Sequence, residues 1–254
     1  MKRTFLFLAI FTFLLAGCGK AAAPKAAGVS LTYEDNAQFE LVTSAGRHIY
    51  IDVVNPALFL EQPTANDILL TTHLHSDHYY KDFSDKFPGQ QLLETTGKIV
   101  LPDVTITCIA SAHNAGDPLL DKNGTNYIYL IETGGLRIAH FGDIGQDALT
   151  ADQLAALGKL DVAITQFENS FSGMSAANMK GFNLMDQLQP RLVIPTAHVS
   201  IPAMKIAFER WTGYYSESRT VTITADNLPA GTGILALGNM AAAYNSIYHL
   251  KAWK

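Results

Sequence analysis

Residues 72–78 read THLHSDH. Three histidines and an aspartate, His73, His75, Asp77 and His78, stand within seven positions. Imidazole and carboxylate are the common ligands of zinc and its first-row neighbours. If the chain is extended through residues 72–75, residues two apart point to one side, so His73 and His75 face one ion together. Ser76 lets the chain turn, which frees Asp77 and His78 for a second, adjacent ion. Asp favours turns, so its place there costs little. Without a metal, four titratable groups this close would compete for few partners. Such a site could supply hydroxide at neutral pH, because metal-bound water has a pKa near 7 instead of ~15.7.

Such a cluster needs rigid elements to hold it. Residues 29–53 alternate β-branched and aromatic residues, broken at Asp35-Asn36 and at Ser44-Ala45-Gly46, which predicts a strand meander. Residues 68–72 read as a buried strand with the histidines at its C-terminal end, and 79–87 as a short helix stopped by Pro88-Gly89. Residues 98–111 read as strands leading to His113 and a loop rich in Gly, Asp and Pro. A hairpin over 126–140 turns at Gly134-Gly135 and leads to Asp143. Thr150 is placed to cap a helix. Strands are expected over 161–167 and over 191–198, which ends at His198. Helices are expected over 175–188 and 202–211, and strands over 221–238. Strand pairs alternating with helices make an α/β architecture with helices covering sheets, and 29–254 reads as one domain.

His73-x-His75-x-Asp77-His78 resembles the signature of the metallo-β-lactamase superfamily, whose pattern continues with a His, an Asp and a His at strand ends. His113, Asp143 and His198 stand in those places. The order and flanks look most like the branch of ascorbate-6-phosphate lactonase-like proteins and other zinc-dependent hydrolases. The resemblance implies a four-layer αββα sandwich and two divalent metal ions. His73, His75 and His113 would hold the first ion and Asp77, His78 and His198 the second, with Asp143 bridging. Zn²⁺ suits this set, and iron or manganese also fit. Redox members of the superfamily usually carry Glu where His75 stands, and its true β-lactamases lack the acid at the position of Asp143. The resemblance therefore implies a metal-bridging hydroxide acting on an ester, lactone or phosphoester, with Asp77 as catalytic ligand and proton relay. The competing expectation is a metal-binding envelope lipoprotein without turnover.

Lys2 and Arg3 precede an apolar run over 5–15, and Leu15-Ala16-Gly17-Cys18 follows. This reads as a signal peptide over 1–17, and its end resembles a bacterial lipoprotein box with Cys18 as the lipidated residue. Residues 18–28, small and Ala-rich, form a tether. The protein is thus expected in the cell envelope, facing the periplasm from the outer membrane where two membranes exist. Loss of Lys2 and Arg3 takes the formal charge from −5 to −7. That balance argues against nucleic acid and leaves a small molecule as substrate. Cys108, His48, His140 and His249 read as structural residues. Asn114 and Tyr79 adjoin ligands without a clear role. Phe171, Met174 and Met179 could wall the pocket or simply pack.

Overall fold

A computed structural model describes residues 28–119, 124–196 and 199–254. The signal segment, Cys18, the tether up to residue 27 and His198 lie outside the described residues.

The first sheet begins with β1 (Val29–Asp35), β2 (Gln38–Val42) and β3 (His48–Ile51), each antiparallel to the last. β4 (Ile68–Thr71) and β5 (Gln90–Leu93) join β3 in parallel. The second sheet starts as a meander of β6 (Gly97–Val100), β7 (Val104–Ser111), β8 (Asn126–Thr133) and β9 (Leu136–His140). β10 (Val162–Thr165) and β11 (Leu192–Pro195) extend it in parallel. β12 (Thr212–Ser216), β14 (Gly233–Leu237) and the short β15 (Lys251–Ala252) continue it, while β13 (Thr220–Ile223) returns to pair with β1. The sheets run β13-β1-β2-β3-β4-β5 and β15-β12-β14-β11-β10-β9-β8-β7-β6.

The layers follow from which faces are apolar. β7 alternates, and its inner residues Val104, Ile106 and Cys108 pack with Leu31, Phe39 and Ile68 of the first sheet. β10 and β14 read VAIT and GILAL, buried at every position, as strands covered on both faces must be. Their outer faces meet α2 (Ala151–Leu157), α3 (Lys180–Leu188), α4 (Ile201–Arg210) and α5 (Asn239–Tyr248). On the far side Phe83 of α1 (Lys81–Ser84), with Phe59, covers Tyr50 and Leu69. The result is the expected four-layer αββα sandwich. Thr150 caps α2 in a full capping box with Gln153.

Several boundaries differ from expectation. The helix expected over 79–87 shrinks to α1, and that over 175–188 starts only at Lys180, after Met179 takes φ 60°. β5, β12 and α5 are additions to the sequence reading. His48, partly exposed on β3, contacts the buried Glu40 carboxylate through Nδ1.

Strand direction decides where the site falls. β7 and β9 run the same way, and β10, β11 and β14 are parallel to β9, so all five end on one rim. The first sheet joins that rim at the end of β4, where Tyr127 N–H donates to the Thr72 carbonyl (3.0 Å). Just below, the buried Tyr129 hydroxyl lies 2.8 Å from the carbonyls of Thr71 and Leu92.

Candidate metal centre

β4 stops at Thr71, so the histidine cluster occupies the loop just beyond the strand end. Acidic side chains take the amides that a ladder would have used. Thr72 N–H donates to Asp52 Oδ1 (2.7 Å) and Leu74 N–H to Glu94 Oε1 (3.1 Å). His78 N–H returns to the His75 carbonyl (2.9 Å), closing a turn through Ser76 and Asp77. That turn gathers the rings. The His73 centroid lies 4.5 Å from that of His75, 4.1 Å from His78 and 5.0 Å from His113.

His113 follows β7, with its N–H held by Thr125 Oγ1 (2.9 Å). Asp143 follows β9 in the stretch FGDIG. Gly142 there has φ 54°, and a Cβ on it would stand 2.4 Å from Asn126 Oδ1 and 2.6 Å from Thr72 Cβ. The same Asn126 oxygen accepts Asp143 N–H (3.0 Å). Glycine is what lets the Asp143 loop lie against the histidine loop.

Among the described residues, two groups of three ligand atoms lie within 4.8 Å of one another: His73, His75 and His113, and His73, His78 and Asp143. The first group is the expected first site. Asp143 stands between the two, with Oδ1 3.3 Å from His78 Nε2 and Oδ2 3.8 Å from His113 Nε2. Asp77 approaches from outside: its side chain is 43% exposed, with Oδ2 4.0 Å from His78 Nε2. β11 leads toward position 198, and Thr196 N–H donates to the Thr165 carbonyl (2.9 Å).

These residues suit a metal cation. The Nε2 atoms of His73 and His113 are buried without a hydrogen-bond partner, a costly state that an ion relieves. Burial, reinforced by neighbouring His78, pushes His73 down to about 3, and burial lowers His113 as well. Both are neutral at physiological pH, as ligation requires. Burial alone would lower His78, but the carboxylates of Asp52 and Asp143 outweigh it and raise it to about 10.

Asp52 was not singled out from sequence. Fully buried at φ 51° just after β3, it accepts the Thr72 hydroxyl (2.8 Å) and lies 2.8 Å from His78 Nδ1. Holding Nδ1–H directs His78 Nε2 into the cluster. An acid closing the alternating run HIYID was the available signal. Asn169 was also missed: its Nδ2 donates to Asp143 Oδ2 (2.6 Å) and to Gln166 Oε1 (2.9 Å). His140 is buried on β9, accepts Gly142 N–H (3.2 Å) and joins neither ligand group. Asn114 Nδ2 lies 3.3 Å from His113 Nδ1. Cys108 is a buried core thiol, pushed up to about 12 by burial.

Two packed sheets between helices, with a His/Asp cluster at the rim where both sheets end, define a metallo-hydrolase scaffold. Residues 30–197 match the family model for the beta-lactamase superfamily domain, and the chain belongs to that superfamily. The fold is shared with a metallo-beta-lactamase superfamily protein from Thermotoga maritima, named a Zn-dependent hydrolase. The two are 17% identical at TM-score 0.59, over 82% of this chain and 99% of the other. YhfI from Bacillus subtilis, a metallo-beta-lactamase fold protein, is 11% identical at TM-score 0.53, over 82% and 96%. A diphosphatase of the PhnP family is 12% identical at TM-score 0.50, over 83% and 96%. No curated protein matches this chain. Family and His/Asp cluster place the protein among the metal-dependent hydrolases of the metallo-beta-lactamase superfamily.

Proposed function

We propose that the protein is a membrane-tethered, dinuclear hydrolase that opens an ester, lactone or phosphoester bond in a small molecule. The observation that carries this reading is the pair of ligand groups sharing His73, with Asp143 between them. His73, His75 and His113 would hold one divalent ion and His78, Asp77 and His198 the other, with Asp143 touching both. Zn²⁺ is the favoured ion for this donor set. When bound, the ions supply Lewis acidity for hydrolysis at neutral pH.

The chain's own groups divide the remaining work. Asp52 and Asn169 fix the orientation of His78 and Asp143. Asp77, half-exposed with its Oδ2 4.0 Å from His78 Nε2, would take a proton and deliver it to a leaving group. The cations that might have marked a phosphate pocket are engaged elsewhere. Lys180 pairs with Asp147 (2.9 Å), and Arg191 donates to the carbonyls of Leu228 and Pro229. This favours neutral esters and lactones over phosphoesters.

Metal analysis and turnover of an aryl ester, a lactone and a bis-aryl phosphodiester, on protein starting after Cys18, test the reading. Two ions per chain and turnover of one substrate class are expected. One ion, or full turnover in metal-checked Asp77→Ala protein, sinks the scheme. The tether through Cys18 and the envelope location are part of the proposal. An inhibitor of lipoprotein signal cleavage should leave a precursor about two kilodaltons heavier, and no change would count against lipidation.

A further inference from the structure

A cavity of about 280 Å³ is lined by Tyr33, Pro195, Thr196, Val199, Ala236, Leu237 and Tyr244. Its place follows from topology. Pro195 and Thr196 end β11, Ala236 and Leu237 end β14, and Tyr33 is near the end of β1. β11 and β14 are parallel to β9, whose end carries Asp143, so the cavity sits on the metal rim. The β1–β2 turn is tied to that rim, because Asn36 Nδ2 donates to the Asp77 carbonyl (3.3 Å).

The chemistry of the walls is selective. No described lining residue is charged. Aliphatic groups and tyrosine rings make the surface. Thr196 is buried, and its hydroxyl has no hydrogen-bond partner.

Met174 and Met179 pack into the core, whereas Phe171 between β10 and α3 is exposed. Ser200, just before α4, donates to Glu168 and ties the segment after β11 to the loop after β10.

We propose that this cavity seats an uncharged, apolar substituent of the substrate, an alkyl chain or aryl group. The word substrate rests on the hydrolase reading; the binding itself does not. A cavity of ~150 Å³ holds benzene, so this one admits an alkyl chain of roughly six to eight carbons. Each methylene buried should tighten binding about fourfold until the cavity is full.

The test uses straight-chain alcohols from ethanol to octanol, which carry no bond to hydrolyse, titrated calorimetrically into the protein. In parallel, kcat/KM is measured for aryl esters of matching acyl length. Wild type should gain about fourfold per methylene and then level off near six to eight carbons. Val199→Phe, on a partly exposed loop, should flatten the series while keeping metal content and melting temperature. A flat series in wild type, or an unchanged slope in Val199→Phe, overturns the proposal. Alcohol binding with the expected slope but no turnover of any ester would keep the cavity assignment and defeat the hydrolase reading. Turnover indifferent to chain length would do the reverse.

Discussion

The single residue that best shows how this site is held is Asp52. It is outside both ligand groups, yet its two oxygens fix Thr72 N–H, the Thr72 hydroxyl and His78 Nδ1. An Asn at this position keeps the shape but offers an NH₂ where His78 needs an acceptor. Asp52→Asn is therefore expected to lose metal affinity by roughly 10–100-fold with an unchanged far-UV spectrum. Competition with a chelator of known affinity measures this, and an undiminished affinity would end the orienting role. The same lesson explains what was legible in sequence. His73, His75, Asp77, His78, His113 and Asp143 announce themselves by residue type and by following strands. Asp52 and Asn169 act through contacts made only when β3 packs beside β4 and the loop after β10 folds over Asp143.

At the scale of elements, the loop after β9 is the tightest point. Gly142→Ala would add backbone strain at φ 54° to a clash with Asn126 and Thr72. The two effects together should cost about 3 kcal/mol or more, read as a lower urea midpoint, with metal content falling in parallel. The β1–β2 pair carries a different liability. Glu34 accepts from Gln38 while Glu40 accepts Leu60 N–H (3.0 Å) beside it, both on the outer face of the first sheet. Burial, reinforced by Glu40, raises Glu34 from its usual 4.5 to about 7. A raised carboxyl favours the folded state when protonated. Its contribution is thus full below pH ~4.5 and is lost as pH climbs through about 7. Melting temperature should fall between pH 5 and pH 8, and Glu34→Gln should flatten that fall. An identical pH profile in the variant would show that Glu34 is not responsible. Element boundaries were the least readable part of the sequence. QQLL and TGYYS form strands with no apolar alternation to mark them, and α5 follows Gly238, which offers no side-chain cap. The long meanders, the Thr150 cap and the hairpin at Gly134-Gly135 were readable because local chemistry alone determines them.

For the whole molecule, the ligand groups join two sheets. His73, His75 and His78 come from the first and His113 and Asp143 from the second. An ion bound by both sheets stabilises only the assembled sandwich. Free metal at about a thousand times its Kd should add roughly 4 kcal/mol, on the order of 10 °C in melting temperature for a domain of this size. Chelation should remove that increment and restoration of zinc should return it. A melting temperature indifferent to chelator would show that the two sheets do not share an ion. Among the described residues no helix is long and apolar enough to cross a membrane.

Tyr129 gives the sandwich a property that the ligands alone would not. Its ring spans the interior from β8, and its hydroxyl rests on the carbonyls of Thr71 and Leu92, at the ends of β4 and β5. It works as a spacer of fixed length standing directly beneath the mouth. Metal sites tolerate departures of only about 0.2 Å in ligand distance. The gap between the sheets beneath the His/Asp cluster is thus held by a side chain that belongs to neither ligand group.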